Sequence, residues 1–184
     1  MRSFAFAAAA FALGGSLSSL NAQDQTASVE APNPALEQLR HVIGEWDVET
    51  TFLRPDGSEA GSFAGTYTFD WVMEDKVVQG VSVIPEFEMA SGILFYLRPA
   101  TSEIEMVSVG PDGQLWTMAG PQDSETRETP VVDMPDGTTL KLRFTRFNVT
   151  PDRFESRMER STDGGVTWVK GNHQVFLRRS APEG

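Results

Sequence analysis

Gly44-Glu45-Trp46-Asp47-Val48-Glu49-Thr50-Thr51-Phe52 is the stretch that decides how the chain folds. Trp46, Val48, Thr50 and Phe52 fall on one side, and Asp47, Glu49 and Thr51 on the other. Successive side chains of a strand point to opposite faces, so this alternation describes a strand with one dry and one wet face. The same period returns in Phe63, Gly65, Tyr67, Phe69, Trp71 and Met73, then in Leu140, Leu142 and Phe144, then in Phe154, Ser156 and Met158. Each row is opposed by polar neighbours, as in antiparallel sheets that pack one face on a core.

Turn signals separate the rows. Pro-Asp-Gly occurs at Pro55-Asp56-Gly57, Pro111-Asp112-Gly113 and Pro135-Asp136-Gly137, and Pro151-Asp152 and Asp163-Gly164-Gly165 add two more turns. Proline presets the first turn dihedral, aspartate bonds nearby backbone, and glycine accepts the positive φ. Strands are expected near 45–53, 61–73, 76–84, 91–97, 103–109, 114–119, 138–148, 153–160 and 166–178. About nine sequential hairpin strands predict an all-β antiparallel meander closed into a barrel, because closure removes exposed edges. A two-sheet sandwich is the alternative. One short helix precedes the strands, with Asn33 as N-cap, Pro34 at the first position and Gly44 as the stop. Its apolar stripe is expected at Leu36, Leu39 and Ile43. The connection from Gly120 to Pro135 holds three prolines and reads as a lid or a disordered loop, with Thr129 to Met134 as a short edge strand.

The first residues follow another logic. Arg2, the apolar run Phe4 to Leu13 and the small residues up to Ala22 predict a secretory signal peptide over 1–22. The apolar run is too short for a membrane span, which needs about 20 residues. Residues 23–33 then form a flexible lead-in to a single domain over 34–180. The chain from Gln23 would carry 14 Lys plus Arg against 26 Asp plus Glu, a net charge of −12. Nucleic acid needs a basic stripe that this chain lacks, and an anionic membrane surface is disfavoured on the same grounds. The absence of cysteine excludes disulfides and thiol nucleophiles, and two histidines argue against a His-rich zinc site. No metal and no cofactor is expected.

Two resemblances sharpen the expectation. Gly44-Glu45-Trp46, directly after the helix, resembles the G-x-W opening of lipocalin-like barrels. That likeness implies a structural role for Gly44 and Trp46, with the indole stacked against a terminal arginine, Arg178 or Arg179. Leu39 to Val48 and Ser161 to Trp168 are similar to an uncharacterised bacterial family of lipocalin-like domains, the DUF1579 type. That family implies an architecture and no established activity. Ser161 to Trp168 also fits the Asp-box pattern of sialidase propellers, but a propeller needs several such boxes at a regular period and the chain has one. His173 lies on the last strand, where haem-binding nitrobindin barrels are expected to carry their axial ligand. The glycines of the nitrobindin opening are replaced here by Asp47, Val48, Glu49 and Thr50.

Large inward residues, Tyr67, Phe69, Trp71, Phe95, Trp116, Phe144 and Met158, either fill the core or line an apolar cavity that takes a ligand. Tyr67 or Arg143 would be its polar anchor. The carboxylates Asp70, Glu74, Asp75, Glu86 and Glu88 fall mostly in turns or on the wet face, and none pairs inward with His or Lys. No nucleophile elbow, zinc helix, phosphate loop or dinucleotide fingerprint is present. The expectation is therefore a periplasmic or secreted protein that binds a small lipophilic molecule without catalysis. A barrel isomerase or hydrolase with an unidentified inward acid or base is the rival, and a haem barrel through His173 a second one.

Overall fold

The structure, a computed structural model, describes residues 33–180. The expected signal peptide, and the lead-in up to residue 32, lie outside the described residues. Helix α1 spans Pro34–Val42, and the strands are β1 Gly44–Leu53, β2 Glu59–Met73, β3 Val77–Ile84, β4 Met89–Arg98, β5 Glu103–Val109 and β6 Leu115–Pro121. Then follow β7 Thr126–Glu128, β8 Val132–Asp133, β9 Thr139–Thr150, β10 Arg153–Ser161 and β11 Val169–Arg178. Every strand pairing is antiparallel, in the order β10-β11-β1-β2-β3-β4-β5-β6-β7-β9, and β9 pairs back to β10. Ten strands thus close a ring, with β8 attached to β9 as an eleventh.

The turns form as their residues dictate. In the three Pro-Asp-Gly turns the Oδ1 of Asp56, Asp112 and Asp136 accepts from the backbone N–H of Ser58, Gln114 and Thr138 at 2.9, 3.0 and 3.0 Å. Asn33 Oδ1 caps α1 by accepting from Ala35 N–H at 3.0 Å and Leu36 N–H at 3.4 Å. The helix then plugs the barrel end. Trp46 is 0% exposed, with its ring 4.9 Å from Phe154, which in turn stacks 4.1 Å from Phe176.

Four expectations need correction. The strand count is ten plus one rather than nine, because the supposed loop from Gly120 to Pro135 contains β7 and β8. Strand β7 completes the wall between β6 and β9, whereas the edge strand foreseen within 129–134 is the two-residue β8. The buried face of α1 is Ala35, Gln38, Leu39 and Val42, so the stripe is rotated from the expected one, and Leu36 and Ile43 flank it. Met73 is 53% exposed because the pairing with β3 slips between Trp71 and Met73, where β2 runs past the wall. Among the described residues no helix is long and apolar enough to cross a membrane.

Candidate functional site

The inward rows do not fill the barrel. A cavity of about 200 Å³ lies between them and α1. Phe69, Phe95, Phe144 and Met158 form its apolar walls from β2, β4, β9 and β10, and Leu39 and Val42 face it from the helix. One side is polar but internally satisfied. Gln174 Nε2 donates to Tyr67 Oη and to Thr50 Oγ1, both at 3.0 Å, while its Oε1 accepts from Ser156 Oγ at 3.1 Å. Burial pushes the Tyr67 phenol up from its ordinary value, so it stays protonated.

Two arginines line the same cavity. Arg146, on β9, is 6% exposed and held bidentately by Glu125, with Nε–Oε2 2.7 Å and Nη2–Oε1 2.9 Å. Its Nη1 lies 3.2 Å from His41 Nδ1, and His41 Nε2 lies 2.7 Å from the Thr150 carbonyl. That pairing defines a neutral imidazole, accepting at Nδ1 and donating from Nε2. Burial, and then the Arg146 and Arg178 guanidinia, hold the His41 pKa below its ordinary value. Arg127, on β7, is 4% exposed and donates from Nη2 to Gln38 Oε1 at 2.6 Å. Gln38 is fixed in turn, since its Nε2 donates to the carbonyls of Gln122 and Ser124 at 3.3 Å each. Desolvation pushes Arg127 down to about 10, which leaves it charged at neutral pH.

Five of the seven residues singled out from the sequence line this cavity: Tyr67, Phe69, Phe95, Phe144 and Met158. Trp71 packs against the core cluster instead, and Trp116, opposite Ser108 by register, stands outside the lining. Arg143 is no anchor. It lies on the outer face, 4.0 Å over the Trp168 ring and 3.0 Å from Glu159. His173 also points outward, because its neighbour Gln174 faces the cavity; it pairs with Glu155 at 2.7 Å and stacks on Phe147. An interior haem could not reach it. Arg178, not Arg179, stacks 4.2 Å from the Trp46 ring, while Arg179 pairs with Asp47 on the surface. Gly44 takes φ +117°, and a Cβ there would meet Arg178 Nη1 at 3.0 Å. The Asp-box segment is closed on itself, with Asp163 accepting from Thr167 N–H and Oγ1 and holding the hairpin before β11. Among the described residues no group of side chains could hold a metal ion.

Sequence reasoning missed Gln38, Arg127, Arg146 and Gln174. Period two carries the row Leu140, Leu142, Phe144 on to Arg146, so that one was in reach. Arg127 sits in a strand of three residues, too short for any alternation to show.

Fold and site define a closed antiparallel β-barrel with an internal cavity. No family model and no curated protein matches the chain. Among solved structures, the S-type phycobiliprotein lyase CPES from Guillardia theta is similar at TM-score 0.49 and 8% identity, over 79% of this chain and 92% of that one. EF1p2_mFAP2b bound to DFHBI is similar at TM-score 0.41 and 12% identity, over 80% of this chain and all of that one. The redesigned β-barrel mFAP1, also bound to DFHBI, has TM-score 0.40 and 13% identity over 76% and 97%.

Proposed function

We propose that the protein is an exported binding barrel of the DUF1579 type that holds a small lipophilic molecule in its interior. The observation that carries this reading is the cavity of about 200 Å³ walled by Phe69, Phe95, Phe144 and Met158. Apolar surface left facing such a space forgoes contacts that an apolar ligand restores, at roughly 25 cal/mol per Å². Among the described residues the lining holds no carboxylate, lysine or histidine, which favours holding a molecule over acid–base turnover of it. Export rests on the leader at residues 1–22.

Native mass spectrometry of protein recovered from the periplasm or medium tests both halves. The chain should start near Gln23 and carry a small molecule that leaves on unfolding. A panel of neutral lipophilic fluorescent probes should bind at about micromolar strength, and Phe95→Ala should weaken that binding by roughly tenfold, or ~1.4 kcal/mol. Recovery with Met1 intact in membranes would overturn the export; a folded protein that binds no probe of any size would overturn the binding.

A further inference from the structure

The charge inside the cavity is one-sided. Two guanidinia line it and, among the described residues, no carboxylate does. Arg146 is neutralised from behind by Glu125, which both of its Nε and Nη2 atoms grip. Arg127 has no such partner. Among the described residues no carboxylate comes within ion-pairing distance of it, and the Glu125 that lies nearest in effect is already engaged by Arg146. Its Nη2 meets a neutral amide oxygen, and its Nε–H, fully buried, has no acceptor at all. Buried polar atoms nearly always find partners, and a buried cation without an anion is costly enough that an apolar replacement is commonly tolerated or stabilising. The chain nevertheless places an arginine there, whose planar fork matches a carboxylate.

We propose that the cavity takes a small organic acid, with its apolar body among Phe69, Phe95, Phe144 and Met158 and its carboxylate, or an equivalent monoanion, on Arg127. This rests on the binding reading above and adds the ligand's charge. It also sets the size. About 200 Å³ falls below the ~300–1,000 Å³ of drug-sized sites, so the body is a single ring or a short chain rather than a long acyl tail.

Cinnamate and cinnamamide share ring, length and shape and differ in charge. Titrated calorimetrically into the exported chain, cinnamate should bind roughly tenfold or more tighter, as a desolvated charge pair requires. Arg127→Met should bind both compounds at about the cinnamamide strength while melting at or above the parent temperature, since an unpaired buried charge has gone. Arg127→Lys, which keeps the charge without the fork, should retain part of the preference. Should Arg127→Met not fold, nitrogen-15 arginine labelling of the parent gives the same answer: cinnamate should move a buried guanidinium Nε–H resonance that cinnamamide leaves in place. Equal affinities in the parent, a preference that survives in Arg127→Met, or unmoved resonances would overturn the acid site and leave the apolar cavity standing. Failure of both compounds overturns it too, and takes the cavity reading with it when the neutral probes also fail.

Discussion

The indole of Trp46 donates its Nε1–H to the Val42 carbonyl at 2.8 Å while Arg178 covers its face. The same guanidinium donates to the carbonyls of Ile43 and His41, both at 2.7 Å, and to Pro151 at 3.1 Å. The carbonyls of His41 and Ile43 belong to the open C-terminal end of α1, which a cation satisfies and stabilises. One arginine therefore closes the helix, covers the core tryptophan and ties down the turn between β9 and β10. Trp46→Ala should cost about 3–5 kcal/mol through the cavity it leaves. Arg178→Ala should cost about 2 kcal/mol through lost charge-assisted bonds. Arg179→Ala should leave the denaturant midpoint where it is, because its ion pairs lie in open solvent. A Trp46→Ala melt coincident with the parent's would remove the indole from its place in the core. Lipocalin-like resemblance pointed to a terminal arginine without choosing between the two, and only the register Trp46↔Arg178 makes the choice.

Gln38 on Arg127 and His41 on Arg146 are two of the polar contacts that seat helix α1 on the barrel. The second is sensitive to acid. His41 faces Arg146 from β9, Arg178 from β11 and, on the favourable side, Glu125 ahead of β7. Its folded pKa lies below the unfolded value, so the native state binds fewer protons than the unfolded chain. Stability must then rise with pH up to the ordinary value of 6.5 and fall as pH drops below it. The thermal midpoint should decline from pH 7 to about pH 5, and His41→Gln should flatten that decline; an identical slope in the variant would release His41 from the role. The long elements were legible in the sequence because each separates a dry from a wet face over many residues, as β1 and β2 do. Strand β7 was not, since its residues Thr126-Arg127-Glu128 are polar and too few to alternate. Arg127 and Gln38 were missed for one physical reason: pattern reading scores a polar side chain as solvated, whereas these two are buried against each other. The five cavity residues were legible because they are large, apolar and in step with their strands.

The molecule carries a net charge of −11, yet among the described residues every charged side chain that lines its cavity is a cation. A small acid must therefore cross a repulsive outer field before it meets an attractive inner one. Added salt shortens the Debye length from ~30 Å at about 0.01 M to ~8 Å at 0.15 M and screens the outer field more than the buried contact. Stopped-flow association of cinnamate should accelerate severalfold over that range, and that of cinnamamide should not change. Slowing of cinnamate would mean that a local positive mouth governs the approach. The ring of strands adds a kinetic consequence of its own. Strand β1 runs in register with β2 from Gly44 to Phe52, whereas β6 meets β7 at the single pair Ala119↔Glu128. Gly120 permits even that approach, since a Cβ there would come within 2.1 Å of the Thr126 carbonyl oxygen. Of the seams in the wall, the one that parts β6 from the strand that bears Arg127 has the fewest ladder pairs. Amide exchange should then be fastest along this seam, and slowed there when an acid on Arg127 braces β7 from within.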